Sequence, residues 1–261
     1  MPRYFLQLAY RGAPFHGWQR QPDDISVQQV IEEALTTVLR SPTPIVGAGR
    51  TDTGVNARRM YAHFDTPRPI SDAPRLLRGL NTLVGRDISL ERIIPVADNA
   101  HARFDATSRT YHYYAVAAKT PFFYPLAWQA PPALDFEAMN SAARLLLAAS
   151  DFTSFAKLHT DTRTNICRVS HAQWHHLGAG AHVFVITADR FLRNMVRAVV
   201  GTLVDVGRGK LTTEQFGHII EARDRCSAGT SMPPQALYLW DVAYPYIPRP
   251  ADSDTLIMPP K

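Results

Sequence analysis

Two stretches of this chain repeat one alternation of hydrophobic periods, and that alternation limits the fold more than any other feature. Over residues 3–10, Tyr4, Leu6, Leu8 and Tyr10 fall on every second position, as in a strand. Val27, Val30, Ile31, Leu35, Val38 and Leu39 then recur at helical spacing through Arg40, behind a capping-box pattern of Ser26 and Gln29. A short strand at Ile45 and Val46 and an extended stretch over 60–65 follow. A helix capped by Ser71, with Leu76, Leu77, Leu80 and Leu83 on one side, and a strand over 88–96 close the first series. The second series starts with a Tyr-rich strand over 108–118. A loop with four prolines over 121–132 and a helix marked by Phe136, Met139, Ala143, Leu146 and Leu147 come next. Strands over 166–176 and 181–188 flank Gly178 and Gly180. A strongly apolar helix runs from Leu192 to near Gly207, Thr212 and Gln215 cap a short extra helix, and a strand over 237–244 ends the series.

The order is β-α-β-β-α-β, twice. It predicts an α+β protein of two ferredoxin-like (RRM-like) halves, with a largely antiparallel sheet, helices on one face and a central cleft. The predicted division is 1–105, 106–245 and a Pro-rich tail over 246–261.

Composition removes several function classes. With 46% hydrophobic and 20% charged residues, the 261-residue chain has ordinary globular composition. Its net charge of +5 is spread evenly over the two halves, so there is no basic tail or polybasic membrane signal. The two cysteines, Cys167 and Cys226, form no CxxC pair, which argues against a disulfide framework or a cysteine zinc site. No apolar run approaches the ~20 residues of a membrane span, and residues 1–10 carry no secretory pattern. A cytoplasmic protein with no membrane partner is expected. Of the basic residues, 24 are Arg and 4 are Lys. The guanidinium fork suits phosphate and stacks on bases, although a GC-rich genome would give the same bias.

The sharpest local feature is the segment from Gly47 to Val55, which reads GAGRTDTGV. Its glycines permit tight turns or close approach to a ligand. It has neither phosphate-loop spacing, and no helix clearly follows it. Asp52 sits mid-loop near Arg50. A carboxylate there can act as a nucleophile if held oriented and ionised, or it can simply form an Asx-turn to Gly54. His171, His175, His176 and His182 invite a metal reading, but no carboxylate or cysteine joins them at ligand spacing, so no metal site is expected.

The Gly47–Val55 segment resembles the G-R-T-D-x-G-V motif of the tRNA pseudouridine synthase A family. Further blocks are similar to that family in order along the chain: Tyr10-Arg11-Gly12 with Phe15 to Gln21, His101-Ala102-Arg103-Phe104 with Arg109 and Tyr111-His112-Tyr113, residues 151–155 with Arg163-Thr164, Asn194 to Gly201, and Leu237-Tyr238-Leu239. The resemblance implies two ferredoxin-like halves and a homodimer. It also implies isomerisation of uridine to pseudouridine in the anticodon stem-loop of tRNA (positions 38–40), without metal or cofactor.

Site residues follow from that resemblance. Asp52 aligns with the catalytic aspartate, which would attack C1′ or C6 or abstract a sugar proton. Tyr111 would stack on the flipped uracil and move the C5 proton; otherwise it is a packed strand aromatic. Arg197 would keep Asp52 ionised; otherwise it lies on the solvent stripe of its helix. Leu237 would floor the uracil pocket, and Arg50 would help to displace the target base. His101, Arg103 and Arg163 would contact the tRNA backbone; otherwise they are solvated surface. Asn56, Arg59, Met60, Arg193, Asn194 and Ala236 depart from the family pattern, which affects loop geometry and choice of uridine more than reaction type. A non-catalytic RNA-binding module on RRM-like sheets is the alternative, although RNP motifs are not evident.

Overall fold

The computed structural model describes residues 1–249, apart from 118, 120, 122, 124, 132 and 159–162. Residues 250–261 of the expected tail therefore lie outside the described residues. The protein is mixed α+β, with largely antiparallel sheet and five α-helices among the described residues. It divides into two compact units, Met1–Thr107 with Tyr238–Arg249, and Ser108–Leu237.

In the first unit the elements are β1 (Arg3–Tyr10), α1 (Val27–Leu39), β2 (Val46–Gly47), β3 (Asn56–Asp65), α2 (Ala73–Leu83) and β4 (Ile88–Val96), joined late in the chain by β9 (Leu237–Ala243). β1 lies between β4 and β3, antiparallel to both. The other edge of β3 is shared: the two residues of β2 pair with Ala62 and His63, and β9 runs parallel beside Asn56 and Ala57.

The alternation in β1 captures four of its six buried residues. Tyr4, Leu6, Leu8 and Tyr10 are buried as expected, but so is Phe5, against the rings of Tyr244 and Tyr246. Ser26 caps α1 by accepting the Gln29 N–H, while the Gln29 side chain donates to Glu33 rather than closing a capping box. Asp72, not Ser71, caps α2 by accepting the Arg75 N–H. Adjacent Ser and Asp are both good caps, so propensity does not choose between them.

In the second unit β5 (Ser108–Val116) pairs with β8 (Ala181–Ala188), which pairs with β7 (Val169–Gly178), all antiparallel; the short β6 (Trp128–Gln129) lies parallel to β5. The β7–β8 hairpin turns through Gly178, Ala179 and Gly180, all at positive φ. Helices α3 (Phe136–Arg144), α4 (Met195–Gly207) and α5 (Thr213–Ala222) pack on one another, and α3 also packs on β7. The apolar run after Phe136 leaves α-geometry at Leu145, continuing as a 3₁₀ turn to Leu147. α4 begins at Met195, leaving Leu192 in the preceding loop. Thr212 and Gln215 do form a reciprocal capping box.

Among the described residues no helix is long and apolar enough to cross a membrane, and no group of three or more metal-ligating side chains comes together. His171 and His175 do share a face, their rings stacked at 5.9 Å.

Candidate active site

The Asp52 loop is built in the first unit by two segments that fit backbone against backbone. β2 delivers Gly47 under the Trp18 indole, where a Cβ would lie 2.5 Å from the ring. Val55 N–H donates to the Asp52 carbonyl at 3.1 Å, and Gly54 at φ +79° occupies the position of that turn that demands positive φ. Asp52 is half-buried on this turn and Arg50 is exposed. Gly17 backs the turn: at φ +87°, with a Cβ that would lie 2.6 Å from the Thr51 carbonyl, it admits no side chain. A Cβ on Gly12 would meet the Val55 carbonyl.

Polar contacts lock the same fit. Trp18 N–H donates to the Thr51 carbonyl, the hydroxyls of Tyr10 and Thr51 pair at 2.8 Å, and Gly12 N–H donates to the buried Asn56 side chain at 2.8 Å. The Tyr10–Gln21 block is thus the socket of the Asp52 loop.

In the second unit α4 is buried along its length except at Arg197 and Asp205, which are half-buried. The solvent-stripe alternative for Arg197 does not hold, because residues 229–233 cross the helix at that point. A Cβ on Gly201 would collide with the Thr230 carbonyl, and Gly229 N–H donates to Thr202 Oγ1. Arg197 Nε donates to the Met232 carbonyl at 2.6 Å, and Met232 N–H donates back to the Arg197 carbonyl. Asn194, at φ +66°, begins the helix and donates to Ser231 Oγ. Tyr113 on β5 donates to the Pro233 carbonyl, and burial pushes its phenol well above the ordinary range. Tyr111 lies two residues earlier on the same face of β5. It is half-buried with its ring edge-on to Phe191 at 5.1 Å, not sealed into the core. Leu237 is buried at the start of β9, and Arg163 is exposed.

The remaining carried-over residues lie in the 101–105 loop of the first unit. His101 is half-buried and Arg103 exposed. His63 on β3 accepts the Ala102 N–H at Nδ1. Burial, reinforced by Arg3 and His101, pushes the His63 ring down to about 4. An unfolded His63 binds a proton near pH 6.5, so the unfolded state takes up the proton first as pH falls. The stability from neutral His63 is therefore present above pH 6.5 and is lost as pH falls toward 4. The melting temperature is expected to decline over that interval. His63→Asn, which keeps an acceptor for Ala102 and has no proton to gain, should flatten part of the decline.

Most of the departures from the family pattern have structural work. Asn56 bolts Gly12, Asn194 tolerates the left-handed conformation better than most residues, and Arg59 is buried in a salt bridge to Asp241 at 3.1 Å. Met60 and Ala236 are fully buried, and the Arg193 carbonyl accepts the Lys157 N–H.

Comparison with known proteins places these elements in a family. Residues 142–245 match the family described as tRNA pseudouridine synthase. The chain is 57% identical over 245 residues to tRNA pseudouridine synthase A of Parabacteroides distasonis, covering 94% of this chain and 97% of the relative. It is 55% identical to the protein of that name from Porphyromonas gingivalis, covering 94% and 98% of the two chains. The chain belongs to the tRNA pseudouridine synthase A family. That membership makes it an isomerase. A third relative, from Syntrophotalea carbinolica, is 40% identical over 92% of this chain and 95% of its own length.

Proposed function

We propose that the chain isomerises uridine to pseudouridine in the anticodon stem-loop of tRNA, with Asp52 as the nucleophile. The observation that carries this reading is the Asp52 turn itself. It is a half-buried carboxylate on a turn fixed from behind by Gly17, Trp18 and Asn56, so that the backbone carrying it is set before substrate arrives. The glycosidic C1′–N1 bond breaks, the uracil turns, and C1′ joins C5; Asp52 serves as nucleophile by attack on C1′ or C6.

Tyr111 stacks on the everted uracil and moves the C5 proton, in keeping with its half-open ring. Arg197, its Nε held by the Met232 carbonyl, supplies a guanidinium to the anionic partners of the reaction. Leu237 floors the uracil pocket, Arg50 takes the place of the displaced base, and His101, Arg103 and Arg163 hold the RNA backbone. Two ferredoxin-like halves, a homodimeric assembly, a cytoplasmic location and chemistry without a cofactor belong to the same reading. Carbodiimide adduct mapping of a tRNA transcript after treatment with the purified chain tests the position. New reverse-transcription stops are expected at uridines 38–40; stops confined to another arm would contradict the stem-loop assignment.

A further inference from the structure

We propose that Phe104, with Arg103, is a stacking platform for an unpaired nucleobase of the RNA substrate. This deepens the reading above and rests on it for the RNA. Phe104 is 75% exposed, the most exposed large hydrophobic residue among those described. It is not a floppy loop residue. The His101 ring lies against it at 4.2 Å with planes 31° apart, and the Arg103 guanidinium sits 5.8 Å from its centroid.

The loop beneath is tied down from every side. His101 Nδ1 accepts the N–H groups of Arg103 and Phe104, and the Asp105 carboxylate accepts the His101 N–H and the Tyr246 hydroxyl. The Ala102 carbonyl accepts the Tyr244 hydroxyl, and Arg3 donates to the Ala100 carbonyl. Burial, with Arg3 nearby, holds the His101 ring below the ordinary imidazole range, which suits a ring whose Nδ1 must stay an acceptor.

This much order around an aromatic face left in solvent needs a function that packing does not supply. A rigid aromatic ring paired with a guanidinium matches what a splayed-out base presents, a π-face next to an anionic phosphate. The placement suits the reaction. The loop hangs from His63, whose strand neighbour in β2 is Val46, and β2 runs directly into the Asp52 loop. A base gripped at Phe104 would steady the RNA while its neighbour is everted.

The test is tRNA affinity and turnover of the full chain across a salt series. Phe104→Ala should weaken binding by about tenfold, a stacking-sized loss, with the effect in Kd and KM, an unchanged salt slope and an unchanged melting temperature. Phe104→Tyr should restore affinity. Arg103→Ala should lower the salt slope by about one phosphate contact. Native tRNA affinity in Phe104→Ala, with the unaltered chain active, would overturn the platform and leave the synthase reading standing. A Phe104→Ala chain that keeps its affinity but changes oligomeric state would assign the ring to a protein contact and also overturn it. Absence of tRNA binding by the unaltered chain would overturn both readings.

Discussion

An Asp52→Asn chain is expected to fold, to bind tRNA close to native affinity, and to form pseudouridine at least about a thousandfold more slowly, the scale on which a removed nucleophile acts. The loop contacts show why the loss should be chemical. The turn is closed by backbone atoms, and its anchors are Trp18 N–H, the Thr51 hydroxyl and the Asn56 side chain. None of these requires a charge on residue 52, and Asn has the same shape as Asp. Nucleoside analysis of treated tRNA measures the rate, and filter binding measures the affinity. Native turnover in this variant would remove Asp52 from the reaction.

The second large effect is on stability. Asp241→Ala is expected to destabilise the protein by roughly 3–5 kcal/mol, a large share of the ~5–15 kcal/mol that holds a typical domain. Arg59 and Asp241 are each 3% exposed, and Arg59 NH1 donates to the carboxylate at 3.1 Å. Removing the carboxylate leaves the guanidinium desolvated without the charge of Asp241. Arg249 also donates to Asp241, but from a half-exposed position where screening makes its share small. The double variant Arg59→Met, Asp241→Leu should recover much of the loss, because it removes both desolvated charges together. Urea unfolding of the three chains measures this; a double variant as unstable as Asp241→Ala would show that packing, not charge, sets the cost.

How far the sequence can be read depends on how local the cause is. The strands Ile88–Val96 and Ala181–Ala188 and the capping box of Thr212 and Gln215 appear at the expected residues, because alternation and capping act within a few positions. The burial of Phe5 does not, because the rings that cover it come from Tyr244 and Tyr246, some 240 residues later. Arg197 fails in the same way as a pattern: its helix leaves a polar stripe open, and residues 229–233, laid across Gly201, close it. Gly201 and Gly229 were the available signal for that crossing, but a glycine in an apolar helix does not name what approaches it. At the site, Asp52 stands out through its glycine frame and a motif. Phe104 stands within a block similar to the family, but nothing in the sequence gives it a role of its own until its exposure is seen.

Release of tritium from tRNA labelled at uridine C5 tests the central claim most directly, since forming the C1′–C5 bond expels that hydrogen to water. The unaltered chain is expected to release the label in step with pseudouridine formed. Tight tRNA binding with no release would contradict the claim and leave a non-catalytic RNA-binding protein.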